Sequence, residues 1–142
     1  MKEKTIKLVN RLCEKGNKSC DDGNYEQALH YFLGALKFIP KPIENSSMAT
    51  WILAAIGDTY FLKNEYQSAL NYMNHAVASR DGLGNPFIHF RLGQLNFEIG
   101  NTARAKEEFI RVYMVGEMGL FRNSEPKYFD FLRENVNLRE SD

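Results

Sequence analysis

The sequence predicts an all-α protein made of three helix–turn–helix units and one C-terminal capping helix. Three observations indicate this fold. Gly16, Gly57 and Gly93 each begin a stretch with the same order of small and large residues. Twelve and sixteen residues after each glycine, a small and then a large apolar residue recur: Ala28 and Phe32, Ala69 and Met73, Ala105 and Phe109. Seven residues after each glycine stands a residue suited to a tight turn: Gly23, Asn64 or Gly100.

The three predicted units cover about residues 9–42, 50–83 and 86–119, and the capping helix covers about 124–136. In each unit the turn residue ends the first helix, because glycine and asparagine tolerate the left-handed conformation of a helix stop. The glycine of the first helix and the alanine of the second let the two helix axes approach closely. Spacings of four and three, as in Ala28–Phe32–Ala35, place the packing residues of the second helix on one face.

Two longer turns join the units. A proline pair ends the first unit, and one of Asn45, Ser46 or Ser47 is predicted to cap the helix that follows. Asn85 is predicted to cap the third unit, with Pro86 as its first helical residue. Neither turn has the composition of a domain linker, so we expect a single domain over residues 1–142.

The capping helix is predicted from a start signal and an apolar face. The start signal is the tripeptide Ser124, Glu125 and Pro126. The apolar face consists of Tyr128, Phe129 and Leu132. We expect this face to cover the end of the last unit, because a helical repeat must hide its terminal apolar surface to stay in solution. The polar residues 137–142 are expected to fray.

This pattern resembles the tetratricopeptide repeat family. The resemblance is carried by three stretches: GNKSCDDGNYEQALHYFLGALKFIP, GDTYFLKNEYQSALNYMNHAVASRD and GQLNFEIGNTARAKEEFIRVY. It implies a right-handed superhelical stack of three units, with the first helix of each unit lining a concave binding face. It also implies that the chain works by binding another protein and is not an enzyme.

Composition argues against several other classes. The formal net charge is zero, so no strong field would attract nucleic acid or an anionic membrane. The first eighteen residues are locally basic, which is expected to be a solvated helix face, with a basic docking site as the alternative. Cys13 and Cys20 lie two helical turns apart and are expected to be reduced thiols. No export signal is visible, and the longest apolar run, 51–56, is too short to span a membrane, so a cytoplasmic location is expected.

No catalytic or metal-binding pattern is found. None of the three histidines (His30, His75 and His89) is followed three or four residues later by a Cys, His, Asp or Glu, the spacing of a helical metal site. His89 stands where the third unit should carry a packing residue, so we expect it to be partly buried and hydrogen-bonded. The glycine-bearing loop at 82–86 lacks the lysine and hydroxyl residue of a phosphate-binding loop. We therefore expect no metal and no cofactor.

One stripe on each first helix is predicted to face the groove. Relative to the unit's glycine, it contains the residues six and three before, and one, four and five after. The stripes are Asn10, Cys13, Asn17, Cys20 and Asp21; Trp51, Ala54, Asp58, Phe61 and Leu62; and Phe87, Phe90, Gln94, Phe97 and Glu98. From these, the residues expected to contact a partner are Asn17, Trp51, Asp58, Phe61, Phe87, Phe90, Gln94, Phe97 and Glu98.

Exposed aromatic residues of this kind often mark interaction sites. Besides a partner protein, two occupants of the groove stay open: the terminal helix of the same chain, or a second copy of the chain in a homodimer. One subgroup of the family binds peptide carboxylates with a set of Lys, Arg and Asn side chains. Asn17 and Arg91 match that set, whereas the remaining places hold Cys13, Trp51, Ala54 and Ala55, so an apolar or mixed partner surface fits better.

A second resemblance concerns the partner. The segments GLGNPFIHFRLGQLNFEIGN and RVYMVGEMGLFRNSEPKYFDFL look like small bacterial tetratricopeptide proteins encoded beside Rhs and contact-dependent polymorphic toxins. It implies an immunity protein that binds a secreted toxin domain and neutralises it by occlusion. Two alternatives remain: a secretion chaperone of the type III translocator class, or a general adaptor or scaffold.

Overall fold

The computed structural model describes residues 1–138, and within this range the regular secondary structure is helical. The α-helices are α1 (Glu3–Asp21), α2 (Tyr25–Leu36), α3 (Ser47–Leu62), α4 (Tyr66–Val77), α5 (Pro86–Glu98), α6 (Thr102–Met114), α7 (Met118–Arg122) and α8 (Pro126–Asn135). A short 3-10 helix, Ile43–Asn45, precedes α3. The three predicted helix pairs are therefore present as α1/α2, α3/α4 and α5/α6, which confirms the all-α fold.

The chain divides into two compact units at the Gly84–Asn85 bond. The first unit contains α1 to α4, and the second contains α5 to α8. The expectation of a single domain over residues 1–142 stays a prediction.

The glycines of the first helices permit close helix packing in all three pairs. A Cβ atom on Gly16 would lie 2.6 Å from Cε1 of Phe32, and one on Gly93 would lie 2.5 Å from Cδ1 of Phe109. A Cβ atom on Gly57 would lie 2.9 Å from Cγ of Met73. Since carbon atoms in contact are normally about 3.5–4.0 Å apart, none of these positions has room for a side chain. The prediction that the glycines allow close approach is confirmed.

The turns within the pairs also follow the prediction. Gly23, Asn64 and Gly100 have φ angles of 77°, 63° and 89°, in the left-handed region that ends a helix. At the starts of α3 and α5, the predicted caps are in place. The Ser46 hydroxyl accepts a hydrogen bond from the amide of Ala49 at 3.3 Å. The Asn85 side chain accepts one from the amide of Phe87 at 2.9 Å, and Pro86 is the first helical residue.

The turn before α3 is tied to the residues after α4. The amide of Arg80 donates to the carbonyl oxygen of Glu44 at 2.8 Å. The Thr50 hydroxyl donates to the carbonyl oxygen of Arg80 at 2.7 Å. The Glu44 carboxylate pairs with Nε2 of His75 at 2.8 Å. This turn is thus held by polar contacts and has a defined conformation.

The C-terminal region differs from the prediction in one respect: a short helix, α7, which was not expected, precedes the capping helix. The predicted start signal is confirmed, since Pro126 is the first residue of α8. The Ser124 hydroxyl donates to the carbonyl oxygen of Phe121 at 3.0 Å and so completes the turn after α7. The predicted apolar face is confirmed: Tyr128 and Leu132 are buried, and the Phe129 ring lies 5.4 Å from that of Phe121. The predicted fraying from Asn137 falls mostly outside the described residues.

Within residues 1–138, every helix is too short or too polar to cross a membrane.

Candidate partner-binding site

The predicted stripe has a buried edge in all three helix pairs and an exposed edge on α1 and α3. The residue three before the glycine is buried each time: Cys13, Ala54 and Phe90 are 7%, 8% and 4% exposed. At about 100° per residue, the positions three before and four after the glycine lie only about 40–60° from it, so they belong to the border of the core. The positions six before, one after and five after lie about 100–140° away. Only this second group forms the exposed edge.

The exposed edges of α1 and α3 lie in the first compact unit and form what we term the α1–α3 face: Asn10, Asn17, Asp21, Trp51, Asp58 and Leu62. Asn10, Asn17 and Asp21 are exposed, and Asp58 is half-buried. Trp51 is 49% exposed and Leu62 43% exposed, although most of the rest of α3 is buried. The Trp51 ring rests edge-on against that of Phe32 at a centroid distance of 6.3 Å, which orders its inner edge. Two large apolar side chains therefore remain in solvent on one side of an otherwise buried helix.

A hydrogen bond joins the two helices of this face. Sγ of Cys20 on α1 lies 3.2 Å from Oγ1 of Thr59 on α3. Either atom can donate the proton of this hydrogen bond, and the Thr59 hydroxyl also lies 2.8 Å from the carbonyl oxygen of Ala55, which accepts from it. The contact holds the C-terminal ends of α1 and α3 together.

The environment of Cys20 is acidic. Burial raises the pKa of its thiol, the hydrogen bond with Thr59 opposes this shift, and the charges of Asp58 and Asp21 raise it further. Both carboxylates thus act on the same point at the junction of the two helices. Burial also raises the pKa of the Cys13 thiol to about 11. Both cysteines are free thiols, as predicted, and neither has the lowered pKa of a reactive nucleophile.

Phe61 was predicted to lie in the groove. It is half-buried, and its ring lies 5.6 Å from that of Tyr66 on α4. It therefore borders the helix pair and contributes less open surface to the face than Trp51 or Leu62 does.

The stripe of α5 is mostly covered: Phe90 and Gln94, which were expected to be open, are buried, and Phe97 and Glu98 are half-buried. Phe90 belongs to the core, with ring centroids 5.6 Å from Phe109 and 5.0 Å from Phe121. Gln94 is buried and its side-chain oxygen accepts a hydrogen bond from Nη1 of Arg91 at 2.8 Å. Phe97 packs into the same core, and Glu98 is half-buried.

The cover is the terminal helix. The Tyr128 ring lies 5.4 Å from that of Phe97, and the Phe131 ring lies 5.3 Å from it on the next turn of α8. The Tyr128 hydroxyl donates to Oε1 of Glu98 at 2.8 Å, and Nζ of Lys127 lies 2.7 Å from the same oxygen. In this part of the chain, the occupant of the predicted groove is thus the chain's own α8.

These contacts set the protonation of Glu98. Burial raises the pKa of its carboxyl group, but the hydrogen bonds from Lys127 and Tyr128 outweigh burial and lower that pKa below its ordinary value. The same pair raises the pKa of the Lys127 ammonium group, chiefly through the hydrogen bond to Glu98. Because the charge of the Glu98 carboxylate is already balanced by Lys127, this residue does not offer a negative charge to a partner.

Phe87 is the one aromatic residue of the α5 stripe that stays open, at 37% exposure. The guanidinium carbon of Arg91 lies 5.4 Å from the centre of its ring. Arg91 therefore binds Gln94 and stacks on Phe87, and it does not stand ready as a carboxylate ligand.

A hydrogen-bonded cluster of polar side chains joins α5 to α6. Nδ1 of His89 is 2.6 Å from Oε2 of Glu108, and Nε of Arg104 donates to Oε1 of the same carboxylate at 3.1 Å. His89 is hydrogen-bonded, as predicted, and at 6% exposure it is more completely buried than the partial burial expected. Its partner was missed, because a spacing of nineteen residues shows a contact only once the turn between α5 and α6 is known. In residues 1–138, no group of three or more His, Cys, Asp or Glu side chains could hold a metal ion.

Comparisons with known proteins support the fold. Residues 52–81 match the family model described as Tetratricopeptide repeat. No curated protein sequence matches the chain significantly. Neither the family match nor the similar structures indicate a catalytic family.

Three solved structures are similar to this chain over most of their own length. The first TPR of Spaghetti (RPAP3) bound to HSP90 peptide SRMEEVD is 22% identical with a TM-score of 0.68, covering 90% of this chain and 90% of that chain. The first TPR domain of the human RPAP3 protein, solved by NMR, is 22% identical with a TM-score of 0.65, covering 89% and 88%. The N-terminal domain of stress-induced protein-1 from C. elegans is 14% identical with a TM-score of 0.66, covering 94% and 98%. The chain thus has an all-helical fold of the tetratricopeptide repeat type.

Proposed function

We propose that this chain is a protein-binding module whose α1–α3 face holds a basic, partly apolar segment of a partner protein. One observation carries the proposal: Trp51 and Leu62 are exposed on the same side of α3 as Asp58, and the charges of Asp58 and Asp21 both act on Cys20 where α1 meets α3. Exposed tryptophan is costly in water and contributes strongly to binding when a partner covers it. The adjacent carboxylates favour lysine or arginine in that partner.

The spacing of the two apolar residues indicates the size of the segment. Trp51 and Leu62 are eleven residues apart on α3, which is about 16 Å at 1.5 Å per residue. Three turns of a helix laid beside α3 would reach both residues, and about five residues of extended peptide would do so as well. A short segment is therefore enough to cover the face.

The similar structures support peptide binding but not the same chemistry. One of them is bound to HSP90 peptide SRMEEVD, so a fold of this type is able to hold a peptide. That peptide carries several carboxylates, whereas the α1–α3 face carries Asp21 and Asp58. Of the two residues matching the carboxylate-binding set, Asn17 is exposed and Arg91 is engaged with Gln94. Charge thus favours a basic partner segment.

In its specific form, the proposal makes the chain a bacterial immunity protein whose partner is a secreted toxin domain. The support is the resemblance of residues 82–101 and 111–132 to such proteins, together with an acidic and apolar face suited to a basic toxin surface. Neutralisation by occlusion is stoichiometric and requires no catalytic group. A translocator chaperone or a general adaptor would use the same face on a different partner.

The test compares Trp51→Ala with Phe38→Ala. Phe38 is 45% exposed on the same compact unit but lies outside the α1–α3 face, so it matches Trp51 in exposure and in loss of an aromatic ring. A pull-down with the wild-type chain identifies the partner, and calorimetry with the purified partner gives Kd. We expect Trp51→Ala to weaken binding about tenfold or more and Phe38→Ala to leave it unchanged.

Circular dichroism of each variant verifies that it is folded. If folded Trp51→Ala and Leu62→Ala variants both bind as tightly as the wild type, the α1–α3 face is not the site. The immunity role is tested by expressing the partner in cells with and without this chain. Rescue of growth by the wild type but not by Trp51→Ala supports it, and a partner that is harmless when expressed alone contradicts it.

A further inference from the structure

A cavity of about 610 Å³ opens beside α2, entirely within the first compact unit. This volume lies in the range of pockets that hold a ligand or several side chains of a peptide, about 300–1,000 Å³. Its apolar wall is formed by Leu12 of α1, Leu33 of α2 and Ile43 of the turn before α3. The α1–α3 face contributes none of the lining residues, so this is a second and separate surface.

The orientation of α2 about its own axis places one of its faces in the core and another face beside the cavity. Ala28, Phe32 and Ala35 direct one face of α2 into the core. His30, Gly34 and Lys37, at spacings of four and three, lie on another face and line the cavity. A Cβ atom on Gly34 would meet no neighbouring side chain within 4 Å. The missing side chain at this position therefore leaves the space open, and nothing in the packing of α2 requires glycine there.

The charged residues that line the cavity are basic. Lys37 and Lys41 line it, and none of its lining residues, all in the described part of the chain, is acidic. Lys15 of α1 stands over the ring of the lining residue Tyr31, with Nζ 5.8 Å from the ring centre. An apolar cavity bordered by three lysines favours a ligand that combines apolar groups with carboxylates.

The lysines are spread along α2 and do not define a single anion site. Lys15 stands over the ring of Tyr31. Tyr31 and Lys37 are six residues apart on α2, which is about 9 Å along the helix axis. One carboxylate headgroup cannot reach both ends of that distance, whereas acidic side chains on neighbouring residues of a peptide are able to do so. The spacing thus favours a peptide over a small amphiphile such as a fatty acid.

We propose that this cavity binds an acidic, apolar segment of a protein, with a leucine- or phenylalanine-sized side chain over Gly34 and carboxylates beside Lys15, Lys37 and Lys41. The charge preference is opposite to that of the α1–α3 face. The chain therefore carries two docking surfaces with opposite selectivity, and the second does not depend on the function proposed for the first.

The experiment uses the full chain and three labelled synthetic peptides of equal length. All three carry the same Leu and Phe residues, with Glu, Ser or Lys at every polar position. Binding is followed by fluorescence anisotropy. We expect the Glu peptide to bind about tenfold more tightly than the Ser peptide, and its affinity to fall as salt is added.

Three variants locate the site. Gly34→Leu fills the cavity and should weaken binding of the Glu peptide about tenfold or more. Gly34→Ala gives the helix a similar gain in propensity but adds one carbon atom to the cavity, so it should weaken binding less than Gly34→Leu does. Lys37→Glu should weaken binding of the Glu peptide about threefold to tenfold. The control Lys106→Glu, at an exposed position in the second compact unit, should leave that binding unchanged.

Several results would overturn the proposal. Failure of the Glu peptide to bind, equal binding of the Glu and Ser peptides, or unchanged binding by folded Gly34→Leu each rules it out. Binding of oleate but not of the Glu peptide would show a site for small amphiphiles instead. Self-association in analytical ultracentrifugation that Gly34→Leu abolishes would assign the cavity to a second copy of the chain.

Discussion

Replacing Gly93 with alanine tests the packing rule on which the repeat depends. The new Cβ atom would lie 2.5 Å from Cδ1 and Cε1 of Phe109, about 1 Å inside normal contact. The Phe109 ring is fully buried among Phe90, Phe121 and Tyr128, so it has little freedom to withdraw. Overpacking of a buried site costs about 1–3 kcal/mol.

The matched control is Gly34→Ala, because the same exchange in a helix interior there meets open space. Both variants gain up to about 1 kcal/mol from the higher helix propensity of alanine. Subtracting one result from the other cancels this shared gain and leaves the overpacking cost. We expect Gly34→Ala to be more stable than the wild type, and Gly93→Ala to be about 1–3 kcal/mol less stable than Gly34→Ala.

Urea denaturation followed by circular dichroism measures both free energies of unfolding. Because the two glycines lie in different compact units, Gly16→Ala is the companion within the first unit, and its Cβ atom would lie 2.6 Å from Phe32. If the free energies of unfolding of all three variants agree within about 0.5 kcal/mol, these glycines are not required for the close approach of the helices in each pair.

Two further predictions concern the cover over α5. Phe90→Ala should lower the free energy of unfolding, measured by urea denaturation, by about 3–5 kcal/mol, because Phe90 is a core residue. A loss of less than about 1 kcal/mol would contradict its burial in the core. The lowered pKa of Glu98 means that its stabilising effect is complete above its ordinary value of 4.5 and is lost as pH falls through the lowered value. Glu98→Gln should therefore reduce the loss of stability on acidification in thermal melts at a series of pH values, and an unchanged pH profile would contradict the pairing with Lys127 and Tyr128.

Much of the fold follows from local rules that are visible in the sequence. The glycine-to-apolar spacing places Gly16 against Phe32 and Gly93 against Phe109 because it equals the path down one helix, around a tight turn and back. Asn85 was predicted as a cap because its side chain accepts backbone hydrogen bonds from residues close in sequence. Such contacts depend on a few neighbouring residues, so their geometry is determined before any tertiary structure is known.

The missed features depend on distant residues. The short helix α7 is only five residues long, and periodicity cannot identify a segment of that length. The pairing of His89 with Glu108 across two helices likewise has no local signal.

The candidate site was predicted in part, because helical position and tertiary cover are separate questions. The stripe positions six before, one after and five after the glycine do face away from the helix pair, and in the first compact unit they remain open at Trp51 and Leu62. Of the corresponding positions on α5, Phe87 stays exposed and Gln94 is buried, whereas Glu98 is covered by Tyr128 of α8, which also packs on Phe97. Both stripes contain aromatic residues, so composition alone cannot separate a binding face from a core face. Trp51 and Phe87, which stand six residues before their glycines, both stay exposed. The two faces differ five residues after the glycine, where Leu62 is exposed and Glu98 is covered by Tyr128 of α8.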